Sequence, residues 1–412
     1  MLTMKLDTPH FRALFTPEIN ILSELFQKHG YGLRMAGGAV RDLLMNKQPD
    51  DIDFATTATP DEMKKMFQNE GIRMLHRKGE AHGTVTIRLN DKQNFEITTL
   101  RIDMTTDGRH AEVKFTTDWE LDAGRRDLTI NAMFLDLEGN LFDYFNGKDD
   151  LENRRVRFVG DPDYRIREDY LRILRYFRFY GRIATHPDDH DESTLKAIQE
   201  NSMGLSKISG ERVWIELKKI LCGNFAKEIV LRMIDLGVKT SIGLPENPNL
   251  AEYIDVCDRT QALKPHPMVK LTALLRTEEE VTALHSRLKF SKYERDLALF
   301  LMANKDLTGH PPLRPFINLI MHSKNKASDT HEWCCEVLKY RSDVCLLKEL
   351  SDWKIPKFPV SGHILMEKGY KPGPKMTEIL STLKTLWIDS NFKMTKTELL
   401  DSIDKNIYGD GL

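Results

Sequence analysis

Segments that favour β-strands are confined to roughly the first third of the chain, which strongly narrows the folds open to it. They lie at 83–89, 94–101 and 131–137, where apolar and polar residues alternate or turn residues flank a β-rich run. Helices are predicted in the same region at 17–30 and from Thr59-Pro60 onward. The pattern therefore predicts one mixed α+β domain that ends near residue 147.

After this point the sequence shows only helical periodicity, broken by prolines. The predicted helical segments are 163–182, 192–203, 209–222, 224–237, 268–286, 290–304 and 330–350, and a last helix runs through Trp387. A chain of 412 residues is too long for one ordinary core, so two to four domains are expected. The predicted fold class is α+β: an N-terminal domain with a small mixed β-sheet, followed by an all-helical remainder.

Composition excludes several classes of protein. The formal net charge is −2, so any surface that binds nucleic acid must be locally basic. The five cysteines form no C-x-x-C pair, which argues against a zinc site and suits a reducing compartment. No apolar run approaches the roughly 20 residues of a membrane span, and the start does not resemble a signal or transit peptide.

Two acidic residues, Asp51 and Asp53, carry the first chemical signal. In an extended strand, residues i and i+2 face the same side, so both carboxylates would project together with Ile52 and Phe54 buried. Like charges this close need a cation between them, and Mg²⁺ prefers such oxygen ligands. Glu96, on a later strand, is a possible third carboxylate, and two metal ions could then serve a nucleotidyl transfer. Taken alone, a D-x-D pair is common in surface turns.

A glycine turn precedes the acidic pair. Gly37-Gly38 offers close backbone approach and free N–H groups for phosphate. A helix is predicted just behind it, and Arg41 adds a charge-assisted contact. By itself, a Gly-Gly pair is usually only a turn. The order of glycine turn, D-x-D strand and later acid resembles the nucleotidyltransferase superfamily.

Arginines form two further blocks. In the first, Arg125 and Arg126 could clamp a triphosphate, with Asp127 and Asn131 bracing the site. The alternative is a solvated charged turn before a strand. The second block lies within 151–182, a segment that holds nine arginines against five acids in an otherwise neutral chain.

Within this second block, Asp169 and Arg172 form an i, i+3 pair on a predicted helix, and Arg175 and Arg178 continue the row. A carboxylate accepts from the amino group of cytosine or adenine, while a guanidinium donates to the adjacent ring nitrogen. Uracil and guanine present a carbonyl beside an N–H, which mismatches the pair. One Asp/Arg pair can therefore select C and A. The alternative is an internal salt bridge on an amphipathic helix.

Together these motifs resemble the class II CCA-adding tRNA nucleotidyltransferases, a group shared with bacterial poly(A) polymerases, and most of all the eukaryotic enzymes. The resemblance covers essentially the whole chain. It rests on the segments 37–42, 51–60, 125–132, 143–151, 168–172 and 211–219.

The resemblance implies a role for each matching residue. Asp51 and Asp53 are expected to be the ligands of two Mg²⁺ ions, whereas Glu96 is a weaker assignment to the catalytic group. The residues expected to bind CTP and ATP are Gly38, Arg41, Arg126, Asp169, Arg172, Arg175 and Arg178, of which Asp169 and Arg172 act as the template for C and A. The segments 100–119 and 143–151 match the family's mobile loop and its hinge.

The resemblance also implies an architecture and partners. Four regions are expected: a nucleotidyltransferase head (1–147), a neck that recognises the base (148–220), a helical body (221–286) and a helical tail that binds tRNA (287–412). The expected reaction is sequential addition of C, C and A to the 3′ end of tRNA from CTP and ATP. The partner is the acceptor end and elbow of tRNA, with no membrane, in a monomer or homodimer. Expected compartments are mitochondrial and/or cytoplasmic and nuclear.

Two alternatives remain at this level. One is a poly(A) polymerase, or an enzyme that adds only part of the triplet. The segment 78–85 favours the full reaction, because related poly(A) polymerases tend to carry a Gly-Arg-Arg-Phe-like run that is absent here. The other is a catalytically dead RNA-binding protein, against which the intact acidic pair argues.

Overall fold

A computed structural model describes residues 2–75, 83–106 and 111–406 of the chain. The chain forms two compact units, one of Met1–Ile254 with Leu274–Lys292 and the other of Asp255–Ala273 with Tyr293–Leu412. The finer division into head, neck, body and tail stays a prediction.

The first unit contains the strands. Within the described residues they are β1 Leu2–Lys5, β2 Leu33–Ala36, β3 Asp53–Thr56, β4 Arg73–Leu75, β5 Thr84–Leu89, β6 Gln93–Thr99, β7 Arg101–Thr106, β8 Ala111–Phe115, β9 Phe134–Leu135 and β10 Asn140–Phe142. Eight of these form one sheet in the order β1-β10-β9-β2-β3-β6-β5-β4, and β7 pairs with β8 in a separate hairpin. In the large sheet β3 and β6 are parallel, whereas the other paired strands are antiparallel. The predicted mixed sheet and α+β class are confirmed.

Helices account for the rest. Up to residue 254 they are α1 Pro9–Arg12, α2 Pro17–Lys28, α3 Gly38–Leu44, α4 Pro60–Asn69, α5 Trp119–Gly124, α6 Gly147–Glu152, α7 Pro162–Glu168, α8 Arg172–Ile183, α9 Glu192–Asn201, α10 Gly210–Cys222, α11 Ala226–Asp235 and α12 Val238–Ile242, and α13 Leu250–Arg259 begins there. The later ones are α14 Pro267–Ala273, α15 Glu278–Leu288, α16 Lys292–Asn304, α17 Arg314–His322, α18 Ala327–Arg341, α19 Val344–Asp352, α20 Gly362–Glu367, α21 Pro374–Asp389 and α22 Lys396–Asn406.

Local sequence explains where several elements begin. Thr59 caps α4 in a reciprocal capping box with Glu62, as predicted, and Pro60 occupies the first turn, where its missing N–H costs nothing. On β6, the side chains of Phe95 and Ile97 are buried while the alternate residue Glu96 faces solvent. This alternation leaves one face of the sheet available for polar chemistry.

Four predicted segments differ from the structure. The helical segments 163–182, 268–286 and 330–350 are each divided into two helices, at Asp169, before Thr277 and at Ser342–Asp343. Thr277 and Asp343 each accept a backbone N–H as a new N-cap, which explains two of the breaks. The predicted strand 131–137 shortens to β9, because Thr129–Asn131 form a 3₁₀ turn.

Within its described residues, the regular secondary structure of the second unit is helical. Its core includes the fully buried side chains of Leu365, Leu383 and Leu399, with Trp387 packed among them. No helix within the described residues is both long and apolar enough to cross a bilayer.

Candidate active site

The acidic cluster lies at the start of β3. Asp53 is the first residue of that strand, and Glu96 lies directly beside it in the parallel register of β6. Register neighbours project to the same face of a sheet, so both carboxylates point the same way. Asp51 lies two residues earlier, outside the strand, which corrects the prediction that one strand holds both aspartates. Ile52 is only half-buried, rather than buried as predicted.

The surroundings of Asp53 disfavour the charged form of its carboxyl. Partial desolvation, followed by the negative charges of Glu96 and Asp51, raises the pKa of the Asp53 carboxyl above its ordinary value. Repulsion of this kind is what a divalent cation would relieve, and the oxygen donors are those that Mg²⁺ prefers.

The cluster does not form a closed metal cage. Among the described residues, no three His, Cys, Asp or Glu side chains are arranged to hold a metal ion. Mg²⁺ is often bound through one or two carboxylates, with waters and substrate phosphates completing its shell. The donor set therefore fits a metal that arrives with a nucleotide.

The glycine turn lies next to the acids. Gly37, with φ +65°, leads into α3, and a Cβ built on it would lie 3.3 Å from the guanidinium of Arg126, so a larger residue would crowd that arginine. Arg41 of α3 is buried and donates to Asn131 Oδ1 at 2.6 Å and to Asp42 Oδ1 at 3.0 Å. As the sequence suggested, Asn131 braces an arginine.

These elements border a cavity of about 430 Å³. Its lining residues are Gly37, Gly38, Arg41, Asp53, Arg125, Arg126, Asp127, Asn131, Arg172, Arg175, Arg178, Phe179 and Arg182. Seven of the thirteen are arginines and only two are acids, so the cavity is a strongly basic pocket that Asp53 also lines. A polyphosphate is the chemical class of ligand that matches this lining.

Each arginine of the cavity is paired with a carboxylate. The pairs are Arg41–Asp42 at 3.0 Å, Arg125–Asp122 at 2.8 Å, Arg126–Asp122 at 3.0 Å, Arg172–Glu168 at 2.6 Å, Arg175–Asp127 at 2.6 Å, Arg178–Glu216 at 2.9 Å and Arg182–Asp42 at 2.9 Å. The ring of Phe179 packs against the guanidinium groups of Arg41, Arg175 and Arg178. Because the partners fix the guanidinium groups, the pocket is preorganised for an anion.

Asp169 and Arg172 are not joined in the way their spacing suggested. Asp169 ends α7 and lies outside both helices, so its carboxylate accepts from the Leu171 N–H at 3.1 Å and from Arg212 at 2.8 Å. Arg172 instead binds Glu168 and donates to the backbone oxygen of Arg125 at 3.0 Å. The alternative of an internal Asp169–Arg172 salt bridge is therefore wrong. Arg172 lines the cavity, whereas Asp169 is not among its lining residues.

Two residues of the site escaped the sequence analysis. Asp122 is buried and accepts from both Arg125 and Arg126, a role that its i, i+4 spacing to Arg126 could have signalled. Arg182 lines the cavity one helical turn beyond Arg178 and binds Asp42.

Two predicted elements are described only in part. The segment 100–119 contains the paired strands β7 and β8, but Asp107, Gly108 and Arg109 lie outside the described residues. The same holds for 76–82, and so for most of the segment 78–85 that favoured the full reaction. The 143–151 segment is described: Asp143 accepts from the N–H groups of Gly147 and Lys148 at the start of α6.

Comparisons with known proteins show which family the chain resembles. A poly(A) polymerase head domain matches residues 33–157, and a probable RNA- and SrmB-binding site of polymerase A matches 190–245. The proteins called CCA tRNA nucleotidyltransferase 1, mitochondrial, of Mus musculus and Homo sapiens are each 53% identical over 98% of this chain and 94% of theirs. The crystal structure of Bacillus stearothermophilus CCA-adding enzyme in complex with CTP has the same fold, with a TM-score of 0.73 at 24% identity over 98% of this chain and 100% of that one.

Proposed function

The chain belongs to the CCA tRNA nucleotidyltransferase family, and we propose that its arginine-lined cavity binds the incoming nucleotide beside the carboxylate of Asp53. The enzyme adds C, C and A to the 3′ end of tRNA from CTP and ATP. The observation that carries the assignment of the site is that the arginine-lined cavity is also lined by Asp53, the carboxyl with the raised pKa.

Each addition makes and breaks one bond. The 3′ oxygen of the acceptor bonds to the α-phosphorus of the nucleotide, the bond from that phosphorus to the oxygen bridging to the β-phosphate breaks, and pyrophosphate leaves. The proton of the 3′ hydroxyl passes to solvent. Asp51 and Asp53 would hold Mg²⁺, which would supply neutralisation of the charge on the reacting oxygens. Glu96, beside Asp53 in register, keeps the local field negative enough to retain a cation.

The arginines divide the work of holding the triphosphate. Arg41 and Arg126, with the backbone at Gly38, contact the phosphates and sugar from the side of the sheet. Arg175 and Arg178 contact the triphosphate from α8. Because each guanidinium already has a carboxylate partner, little reorganisation is needed when the nucleotide enters.

Base choice rests with Asp169 and Arg172. Arg172 is held by Glu168 and by the Arg125 backbone, so its position is fixed with respect to the cavity. Asp169 is held by Arg212, in the break between α7 and α8. We propose that the base of CTP or ATP bridges these two side chains, and that UTP and GTP are rejected because their pairing edges reverse the donor and acceptor.

The partner and compartment follow from the relatives. The relatives that are 51–53% identical to this chain are named mitochondrial, which supports a mitochondrial location. We extend the proposal to the cytoplasm and nucleus. A Thermotoga maritima CCA-adding enzyme has been solved with a tRNA carrying CCA. We propose that the second unit binds the tRNA elbow while the first binds the acceptor end, in a monomer or homodimer.

One assay tests the function. Purified protein is incubated with tRNA that lacks its 3′ end, and CTP, ATP, UTP and GTP are offered singly and together. The expected products are two added C residues with CTP alone and a complete CCA end with CTP and ATP. A long A tail from ATP alone would identify a poly(A) polymerase instead, and no extension would identify a dead RNA-binding relative.

A further inference from the structure

A second cavity adjoins the arginine-lined cavity at Asp53. It has a volume of about 270 Å³ and is lined by Ala36, Gly37, Asp53, Phe54, Ala55, Thr84, Glu96, Thr98, Arg101, Asp122, Arg125 and Arg126. It shares Gly37, Asp53, Arg125 and Arg126 with the arginine-lined cavity. At ~30 Å³ for each water of the liquid, its volume corresponds to about nine waters, enough for one sugar with a neighbouring phosphate.

The chemistry of the reaction assigns the two cavities. The leaving pyrophosphate and the attacking 3′ oxygen must lie on opposite sides of the α-phosphorus in an in-line displacement. The cavity with seven arginines suits the triphosphate. The acceptor hydroxyl therefore approaches Asp53 from the second cavity, which Glu96 and the two threonine side chains line.

The threonines form a hydroxyl pair in register with the acids. Thr84 Oγ1 and Thr98 Oγ1 are 2.9 Å apart, across the antiparallel β5–β6 pair. Along β6, Thr98 lies two residues beyond Glu96, on the same face, and two residues of a strand advance about 6.6 Å. Ala55, the register neighbour of Thr98 on β3, also lines the second cavity, and its short side chain leaves room beside the hydroxyl pair.

We propose that this cavity binds the 3′-terminal ribose of the acceptor RNA, and that the Thr84–Thr98 hydroxyl pair recognises its 2′-hydroxyl. The inference rests on the proposed assignment of the arginine-lined cavity to the nucleotide. The acceptor ends in its original terminal nucleotide at the first addition and in C at the second and third, so a subsite shared by all three additions must read the sugar rather than the base. A hydroxyl pair suits this task, because either oxygen can donate or accept, and the 2′-hydroxyl distinguishes RNA from DNA.

The test compares acceptors that differ by one oxygen. A tRNA lacking its 3′ end is prepared with either a ribonucleotide or a 2′-deoxynucleotide at its terminus, and kcat/KM for addition of the first C is measured for each. The wild-type enzyme is expected to prefer the ribose end by about 3- to 10-fold, the effect of one hydrogen bond. Thr98→Val combined with Thr84→Val is expected to abolish this preference, with the KM for CTP unchanged.

Two variants control for folding and chemistry. Thr98→Ser keeps the hydroxyl and is expected to keep the preference. Thr86→Val makes the same change on the same strand, at a buried side chain that lines neither cavity, and is also expected to keep it.

Equal use of both acceptors by the wild-type enzyme would overturn the proposal, as would a double variant that keeps the preference or raises the KM for CTP. Failure of the wild-type enzyme to add C to either acceptor would instead refute the proposed function.

Discussion

Asp122→Asn tests whether nucleotide binding in the cavity depends on the carboxylates that pair with its arginines. Asp122 Oδ1 accepts from the Arg101 N–H at 3.1 Å and from Arg125 Nε at 2.8 Å, while Oδ2 accepts from Arg126 Nε at 3.3 Å and Nη2 at 3.0 Å. Burial alone would raise the pKa of this carboxyl, but Arg126 and Arg125 outweigh burial and hold it below its ordinary value. Asparagine can keep the Oδ1 contacts, but its amide NH₂ then faces the Arg126 donors.

The expected losses follow from this geometry. Removing one partner of a buried ion pair costs about 3 kcal/mol of folding stability, the low end for such pairs, since Arg125 keeps its contact. Arg126 also loses its fixed position, and a charge-assisted hydrogen bond to a phosphate is worth about 1.5–3 kcal/mol, so kcat/KM for CTP should fall about 10- to 100-fold.

Steady-state kinetics with CTP and denaturant unfolding measure the two effects separately. Asp118→Asn is the matched control: it lies just before the same helix, is exposed, and caps the helix equally well as asparagine. The reasoning is refuted if Asp122→Asn retains the kcat/KM of Asp118→Asn under conditions where both variants are folded.

Three further predictions address the rest of the site. Asp51→Ala and Asp53→Ala should each abolish nucleotide incorporation while leaving tRNA affinity in a filter-binding assay largely intact; near-normal turnover would contradict the metal assignment. Arg172→Ala should raise misincorporation of UTP more than it raises the KM for CTP, and unchanged discrimination against UTP would count against a role in base choice. Burial would raise the pKa of Asp127, but the charge of Arg175 outweighs burial and lowers it, so the stabilisation from this pair is complete above about pH 4 and is lost as pH falls through the lowered pKa. Asp127→Asn should therefore flatten the fall in the free energy of unfolding between about pH 5 and 2. An unchanged slope would refute this linkage.

Local patterns predicted the catalytic sheet well because their causes are local. The helix start at Thr59 and the alternation around Glu96 depend on residues a few positions apart, and both were predicted. The parallel pairing that sets Glu96 beside Asp53 joins strands about 40 positions apart, so sequence could propose the third acid but not its register.

The break at Asp169 shows the limit of periodicity. Apolar spacing through 163–182 predicted one helix, yet Asp169 leaves helical geometry, with φ −151°, and its carboxylate binds Arg212 of α10. That partner is more than forty residues away, so no local pattern could have revealed it. Propensity is a weak prior when a buried or half-buried charge finds a distant partner. The i, i+3 spacing that suggested a base-reading pair therefore did not predict the conformation, and the role of the pair in base choice stays a prediction.

The carboxylates that pair with the arginines explain how a chain that is nearly neutral overall can hold a polyphosphate site. Five acids, Asp42, Asp122, Asp127, Glu168 and Glu216, bind seven arginines, so the array keeps an excess of positive charge with little mutual repulsion. The cavity is lined by two acids. Arg175 holds the pKa of Asp127 below its ordinary value, whereas the pKa of Asp53 is raised. Positive charge is thus fixed where phosphate must bind, and negative charge is concentrated where a cation is needed. Under the proposed assignment of the site, the α-phosphorus lies between these two regions of opposite charge, where the 3′ oxygen can attack and pyrophosphate can leave.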